Sequence, residues 1–159
     1  MLLSSVKKFC DTHIKPEYDS WEKEGIFPKS VWQKLGESGF LCIDIPEKYG
    51  GHGADPELAM SVPSAITYEN YGSISVGISV HSDIVAHYIL NLGTEEQKQT
   101  YLPKMASGEC IGAIAMTEPA AGSDLQGIKT HAKFDGDNWV INGSKTFITN
   151  GQHADLVIV

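Results

Sequence analysis

The stretch AMTEPAAGSD, residues 115–124, places two hydroxyl groups, two carboxylates, a proline and a glycine within ten positions. Pro119 and Gly122 set the backbone of a turn, and Thr117 and Ser123 bracket that turn. Hydroxyl and backbone N–H groups that converge on a small volume can bind an anion. The residue types therefore predict an anion-binding turn.

A plain turn at the end of a strand is the alternative. In that case Glu118 and Asp124 only accept hydrogen bonds from nearby N–H groups, as is common in turns of this composition. Nucleotide-binding fingerprints do not decide the matter, because the stretch matches neither GxGxxG nor a Walker A pattern, and GGHG at 50–53 is only a short glycine cluster. Residue types alone leave both interpretations open.

The overall composition excludes several classes of partner. Twenty acidic against twelve basic residues give a net charge of -8, which would repel a phosphate backbone, so we expect no nucleic acid partner. No apolar run approaches the roughly 18 residues that a membrane-spanning helix needs, so we expect no membrane insertion. The N-terminus MLLSSVKKF has no signal-peptide pattern, and we expect no secretion.

Cysteines and histidines give no metal-site pattern. Cys10, Cys42 and Cys110 are far apart and odd in number, which fits a reducing compartment. No two histidines have the i, i+4 spacing of helical metal ligands. We therefore predict no metal site, and we interpret His81, within the apolar run SISVGISVHSDIV, as a core or active-site-wall histidine.

Helical periodicity dominates the first 110 residues or so. Apolar positions at spacings of three and four predict a helix from residue 2 that Pro16 kinks or ends. A short second helix follows Pro28, a third begins at the N-cap Asp55, and residues 73–92, apolar all round, predict a central buried helix. A T-x-x-Q capping box at residues 94–97 starts the last helix.

Short alternating runs then predict strands. These runs are IGAIAMT, KTHAKFD, NWVIN, SKTFIT and DLVIV. The turns DGDN and NG between them predict hairpins. Because DLVIV stops within a strand and would leave an open sheet edge, we expect the chain to be a fragment of a larger protein.

The predicted fold class is α+β. An all-α N-terminal domain, residues 1–111, precedes the start of an antiparallel β-barrel or sandwich domain, residues 112–159.

The segment AMTEPAAGSDLQG, residues 115–127, resembles the signature of the acyl-CoA dehydrogenase family. The motifs PEKYGG, GTEEQK, INGSKTFITNG and LVIV occur around it in the order that the family uses, and the resemblance covers nearly the whole chain. The runs CIGAIAMTEP and AGSDLQGIKT are most similar to the long-chain branch.

The resemblance implies a flavoenzyme of fatty-acid β-oxidation. With FAD it would convert an acyl-CoA thioester to the trans-2-enoyl thioester, and electron-transferring flavoprotein would reoxidise the flavin. It also implies a homo-oligomer, a tetramer, when full length. The resemblance further implies a C-terminal helical domain, which we expect to be absent from this chain. The location would be cytoplasmic in a bacterium and the mitochondrial matrix in a eukaryote.

The resemblance also implies which residues bind FAD. They are Ile114, Ala115, Met116, Thr117, Gly122, Ser123, Phe147, Ile148 and Thr149. In the family's arrangement, Thr117 contacts the pyrimidine edge of the flavin. Ser123, beside Gly122, reaches the pyrophosphate and the CoA portion of the substrate. The Thr149 hydroxyl hydrogen-bonds flavin N5. Two departures are visible, because many members have Gly and Trp where this chain has Ala120 and Phe147.

The same resemblance places substrate contacts at Ser123, Val76 and Val80. Small side chains at 76 and 80 would leave room for a medium-to-long acyl chain, although packing between helices explains them equally well. We assign no catalytic base within the chain: Glu118 resembles a candidate, but the family's glutamate is expected after residue 159.

Two other functions remain open at this point. One is an acyl-CoA oxidase or flavin monooxygenase relative of the same fold, which reactivity of the reduced enzyme toward oxygen would distinguish. The other is a non-catalytic helical binding module in which AMTEPAAGSD is only a turn.

Overall fold

Seven α-helices occur within residues 2–159, the part of the chain that the computed structural model describes. They are α1 (Leu2–Phe9), α2 (Tyr18–Glu24), α3 (Ser30–Glu37), α4 (Pro56–Tyr68), α5 (Gly72–Ser79), α6 (Ala86–Leu92) and α7 (Glu95–Ala106). A π-helical segment, Cys10–Ile14, extends α1, and a second, Val80–Val85, joins α5 to α6. Single 3-10 turns lie at Glu47–Tyr49 and Leu125–Gly127.

Side-chain caps start two of these helices as the sequence predicts. The Asp55 carboxylate accepts a hydrogen bond from Glu57 N at 2.8 Å, which satisfies one free N–H of the first turn of α4. At the start of α7, Thr94 and Gln97 form the reciprocal capping box. At the end of α2, Gly25 adopts φ 72°, a left-handed conformation that glycine reaches without strain.

The helical core confirms the predicted apolar faces. Trp32 and Leu35 of α3 are fully buried, together with Ile14 from the extension of α1. Other fully buried side chains are Ile66, Ile74, Ile78, Leu102 and Met105. Burial of each large apolar side chain stabilises the fold by about 1.5–3 kcal/mol.

The run from residue 73 to 92 is helical, as predicted, but it is not buried on all sides. Val76 is 54% exposed, and Ile84, Tyr88 and Leu92 are exposed as well. One stripe of this apolar run therefore faces away from the core.

Four short strands follow the helices. They are β1 (Gly112–Ile114), β2 (His131–Phe134), β3 (Trp139–Asn142) and β4 (Leu156–Ile158). β2 and β3 pair antiparallel, with His131 opposite Asn142. The turn between them uses the predicted DGDN sequence: the Asp135 carboxylate accepts hydrogen bonds from Asp137 N and Asn138 N, and Gly136 adopts φ 103°.

The fold class is confirmed: a helical domain precedes a small sheet region. Two details of strand pairing differ from the expectation. β1 pairs with β4 in parallel, Gly112 opposite Leu156, so the strands form two separate two-stranded sheets. The run SKTFIT is not a strand, and Asn142-Gly143 does not form a hairpin.

Contacts made by the SKTFIT run explain this difference. Its Thr146 N–H donates to Thr117 O at 3.0 Å and its Lys145 ammonium donates to Met116 O at 3.0 Å, so it packs as a loop against the segment after β1. Parallel pairing needs a long crossover connection, which the hairpin and this loop together provide.

Among residues 2–159, no helix has both the length and the apolar character needed to cross a membrane.

Candidate functional site

Two loops lie side by side where β1 ends. We call residues 115–124 the first loop and residues 145–150 the second loop. The Thr146 N–H donates to Thr117 O at 3.0 Å, and the Lys145 ammonium donates to Met116 O at 3.0 Å. The structure therefore brings together the two sequence segments that carry the predicted cofactor residues.

Glu118 fastens the first loop to the β-region. Its carboxylate accepts hydrogen bonds from Lys129 N at 2.8 Å and Thr130 N at 2.9 Å, and it forms an ion pair of 3.0 Å with Lys145. Hydrogen bonds from Thr130 and Lys129, together with the Lys145 ammonium, lower the pKa of Glu118 to about 2. A carboxylate that is ionised and engaged in this way holds the loop, whereas a general base needs a pKa nearer the working pH.

The turn inside the first loop is tight. Glu118 N donates to Ala121 O at 2.9 Å, and Ala121 N donates back to Glu118 O at 3.1 Å, with Pro119 and Ala120 between them. Gly122 and Ser123 follow on the surface, and a Cβ added to Gly122 would meet no atom within 4 Å. The backbone at this point is open to approach by a ligand.

The predicted cofactor residues differ in exposure. Ala115 is buried and Ile114 is half-buried, whereas Met116 is 40% exposed. The Phe147 ring is 91% exposed on a backbone with φ 56°, an uncommon conformation for a residue with a side chain. Thr146, the residue before Phe147, is hydrogen-bonded to Thr117, the residue after Met116. The exposed side chains of Phe147 and Met116 therefore lie on neighbouring stretches of backbone, and a flat ligand would cover them.

Several polar groups of the two loops have no partner among residues 2–159. The N–H groups of Met116, Thr117, Ile148 and Thr149 make no hydrogen bond with a described residue. The same holds for the hydroxyl groups of Thr117, Ser123 and Thr149. Free donors in this number, next to exposed apolar side chains, fit the polar edge, the flat ring and the diphosphate of FAD.

The structure also separates some of the predicted residues. Ile148 and Thr149 line a cleft of about 410 Å³ together with Trp21, Phe27 and other residues of the helical domain. Ile114, Ala115 and Met116 line another cleft, of about 340 Å³, beneath the β2–β3 hairpin. Val76 and Val80 line neither of these two clefts.

The sequence motifs predict no particular role for Asn150. It adopts φ 63°, and its side-chain Nδ2 donates to Gly77 O at 2.9 Å and to Gly112 O at 3.1 Å. The signal that could have found it is the Asn150-Gly151 pair, because asparagine is the residue with a side chain that most readily accepts a left-handed backbone.

His81 is confirmed as a buried core histidine. Its Nε2 lies 3.0 Å from Met105 O, and its Nδ1 accepts a hydrogen bond from Gly112 N at 3.0 Å. Burial lowers the pKa of the imidazole to about 4. The neutral ring thus connects the π-helical segment Val80–Val85 to α7 and to the start of β1.

In the described part of the chain, no three His, Cys, Asp or Glu side chains form a group that could hold a metal ion.

Comparison with protein families gives two matches that together span almost the whole chain. The family model for the acyl-CoA dehydrogenase N-terminal domain matches residues 1–109. The family model for the acyl-CoA dehydrogenase middle domain matches residues 113–159.

Individual proteins agree with these matches. The mitochondrial long-chain specific acyl-CoA dehydrogenase of Mus musculus is 50% identical over 158 residues, which are 98% of this chain and 36% of the mouse protein. A crystal structure of acyl-CoA dehydrogenase from Geobacillus kaustophilus superposes with a TM-score of 0.92 at 53% identity, over 99% of this chain and 41% of that one. A glutaryl-CoA dehydrogenase from Mycobacterium smegmatis, solved in complex with FADH2, superposes with a TM-score of 0.91 at 31% identity. The match covers 98% of this chain and 40% of that one.

The chain thus spans little more than a third of the length of the mouse relative. Over that length, both domain models match. The chain belongs to the acyl-CoA dehydrogenase family.

Proposed function

We propose that the chain is the N-terminal and middle part of an FAD-dependent acyl-CoA dehydrogenase that acts on medium-to-long acyl-CoA thioesters in fatty-acid β-oxidation. The observation that carries this proposal is the pair of joined loops with their unpartnered donors. The high identity to the mouse long-chain enzyme supports the acyl-CoA substrate, and the FADH2 complex of the Mycobacterium smegmatis relative supports the flavin.

The first loop would hold the cofactor along one side. In this proposal Ile114, Ala115 and Met116 lie along the flavin ring, and the free N–H and hydroxyl groups of Thr117 address its pyrimidine edge. Gly122 and Ser123 take the pyrophosphate, where the open backbone lets the oxygens of a diphosphate come close. Ser123 also contacts the CoA portion of the substrate.

The second loop would supply an aromatic wall and a further donor. Phe147 covers the ring, Ile148 packs beside it, and the Thr149 hydroxyl donates toward N5. These residues would hold FAD, which would supply the acceptor for the β-hydride of the thioester, and a carboxylate would take the α-proton. A fixed donor near the position that gains charge stabilises the transition state without reorganisation.

We assign no base to these residues. Glu118 is occupied by Lys129, Thr130 and Lys145, which supports the proposal that the α-proton is removed by a glutamate outside residues 1–159. Val76 and Val80 would form part of the acyl-binding surface.

The remaining parts of the proposal concern the whole protein. Electron-transferring flavoprotein would reoxidise the flavin, and the full-length protein would be a homotetramer. It would work in the cytoplasm of a bacterium or the mitochondrial matrix of a eukaryote. We place the boundary between the helical and the β-domain at residues 111 and 112, and the ranges of the two family models support this division.

The test uses the full-length enzyme, made from its own gene or by joining residues 1–159 to the C-terminal remainder of the Geobacillus kaustophilus relative. We expect a yellow protein whose flavin is reduced under anaerobic conditions by acyl-CoA and reoxidised by electron-transferring flavoprotein. Rapid reoxidation by oxygen instead would indicate an oxidase or monooxygenase. A protein that stays colourless after addition of FAD would indicate a non-catalytic module.

A further inference from the structure

Asn150 contacts three parts of the proposed active site at once. It follows Thr149 in the second loop, and its Nδ2 donates both to Gly77 O in α5 and to Gly112 O in β1. Gly77 is the neighbour of Val76 on the acyl-binding surface, and β1 leads directly into the first loop.

We propose that Asn150 is a positioning residue that fixes the second loop, and with it the Thr149 hydroxyl, relative to the acyl-binding helix and the first loop. This inference rests on the proposed function. The backbone contact from Thr146 N to Thr117 O holds the other end of the same segment. Residues 147–149 are thus fastened on both sides.

The chemistry of the side chain suits this role closely. A carboxamide nitrogen carries two N–H groups, and the two carbonyl oxygens of Gly77 and Gly112 accept one each. Aspartate has the same shape but no donor, and serine has only one. Asparagine also accepts the left-handed backbone at φ 63° better than most residues.

Gly77 is the matching half of the contact. A Cβ at this position would lie 2.9 Å from the Oδ1 atom of Asn150, which is too close for an undisturbed fit. The helix also changes from α to π geometry at Val80, a change of hydrogen-bond register that is frequent at functional sites. An alanine at 77 would therefore push Asn150 out of position although alanine is the better helix former.

The experiment measures flavin reduction per bound FAD in the full-length holoenzyme at saturating acyl-CoA. Asn150→Gly removes both donors and leaves the backbone unstrained, and Asn150→Asp keeps the size but has no N–H. We expect each to slow reduction at least tenfold, with a much smaller change in KM. Asn70→Gly is the matched control, because Asn70 also adopts a left-handed φ of 69° but is exposed at the end of α4; its rate should stay at the wild-type value.

The pair Asn150 and Gly77 gives a second, independent arm. Gly77→Ala alone should slow reduction, and it should cause no further loss in the Asn150→Gly background, where the clashing amide is gone. If Asn150→Gly does not fold, the Gly77→Ala single variant decides the matter.

Reduction per bound flavin within twofold of wild type in the Asn150 variants or in Gly77→Ala would overturn the proposal. Additive losses in the double variant would overturn it as well. A wild-type enzyme whose flavin no acyl-CoA reduces would contradict the proposed function instead, and the two failures are thereby distinguished.

Discussion

The Lys145 ammonium lies 3.0 Å from the Glu118 carboxylate, and the side chains of both residues are largely buried, at 14% and 6% exposure. Lys145 also donates to Met116 O. One ion pair thus fixes the second loop to the first, and it uses the carboxylate that resembles a catalytic base in the sequence.

Glu118→Gln tests this structural role. We expect a lower melting temperature, because the amide loses the ion pair and replaces one acceptor with a donor that faces N–H groups. Flavin reduction should fall far less than the roughly 10²–10⁴-fold that removal of a general base costs. Glu47→Gln, at a 3-10 turn away from both loops, serves as the control for stability. A loss of reduction as large as that of a missing base would show that Glu118 does the chemistry.

The buried His81 predicts a pH dependence of stability. Its pKa is about 4 in the folded protein, below the ordinary value of 6.5, so the unfolded chain binds more protons between these pH values. The contribution of the neutral His81 ring to the free energy of unfolding is therefore complete above pH 6.5 and is lost as pH falls toward 4. The free energy of unfolding then changes by up to about 1.4 kcal/mol per pH unit.

His81→Gln removes this titration. Thermal unfolding followed from pH 7 to 4.5 should show a shallower fall for the variant than for wild type. His52→Gln, an exposed position, should retain the wild-type slope. Equal slopes for wild type and His81→Gln would refute a neutral, buried imidazole.

Thr149→Val deletes the hydroxyl that we place near flavin N5 and keeps the shape of the side chain. A hydrogen bond to a group that gains charge is worth about 1.5–3 kcal/mol, so flavin reduction should slow by roughly tenfold to a hundredfold. Substrate affinity should change little. Thr100→Val on the surface of α7 is the control. An unchanged reduction rate in stopped-flow measurements would argue against the placement.

Val76 and Val80 predict the preference for chain length. Replacing them with Gln and Glu would fill the surface that we propose binds the acyl chain, and each buried CH2 that no longer fits costs about 0.8 kcal/mol. The ratio of kcat/KM for long-chain to short-chain acyl-CoA should fall by roughly tenfold or more once two methylenes are excluded. Leu92→Gln, exposed further along the same helical run, should leave the ratio unchanged. A wild-type enzyme strictly specific for four-carbon substrates would contradict the interpretation.

Local signals made much of the fold predictable. The caps at Asp55 and Thr94 and the DGDN turn each depend on residues within four positions of one another, and all three occur as expected. His81 was predictable as a core residue because its neighbours in the chain are apolar.

Long-range pairing was not predictable in the same way. Nothing near β1 or β4 specifies that they pair in parallel, since that choice depends on contacts made by the intervening 41 or so residues. SKTFIT alternates like a strand, but the partners of Lys145 and Thr146 lie in the first loop. The role of Asn150 likewise depends on Gly77, 73 positions earlier in the chain.

The most direct test of the central claim is an anaerobic titration of the full-length enzyme with acyl-CoA thioesters of increasing chain length. We predict that the flavin absorbance disappears with medium-to-long chains and that one trans-2-enoyl-CoA forms for each flavin reduced. A protein that binds no FAD, or a bound flavin that no acyl-CoA reduces, would contradict the account.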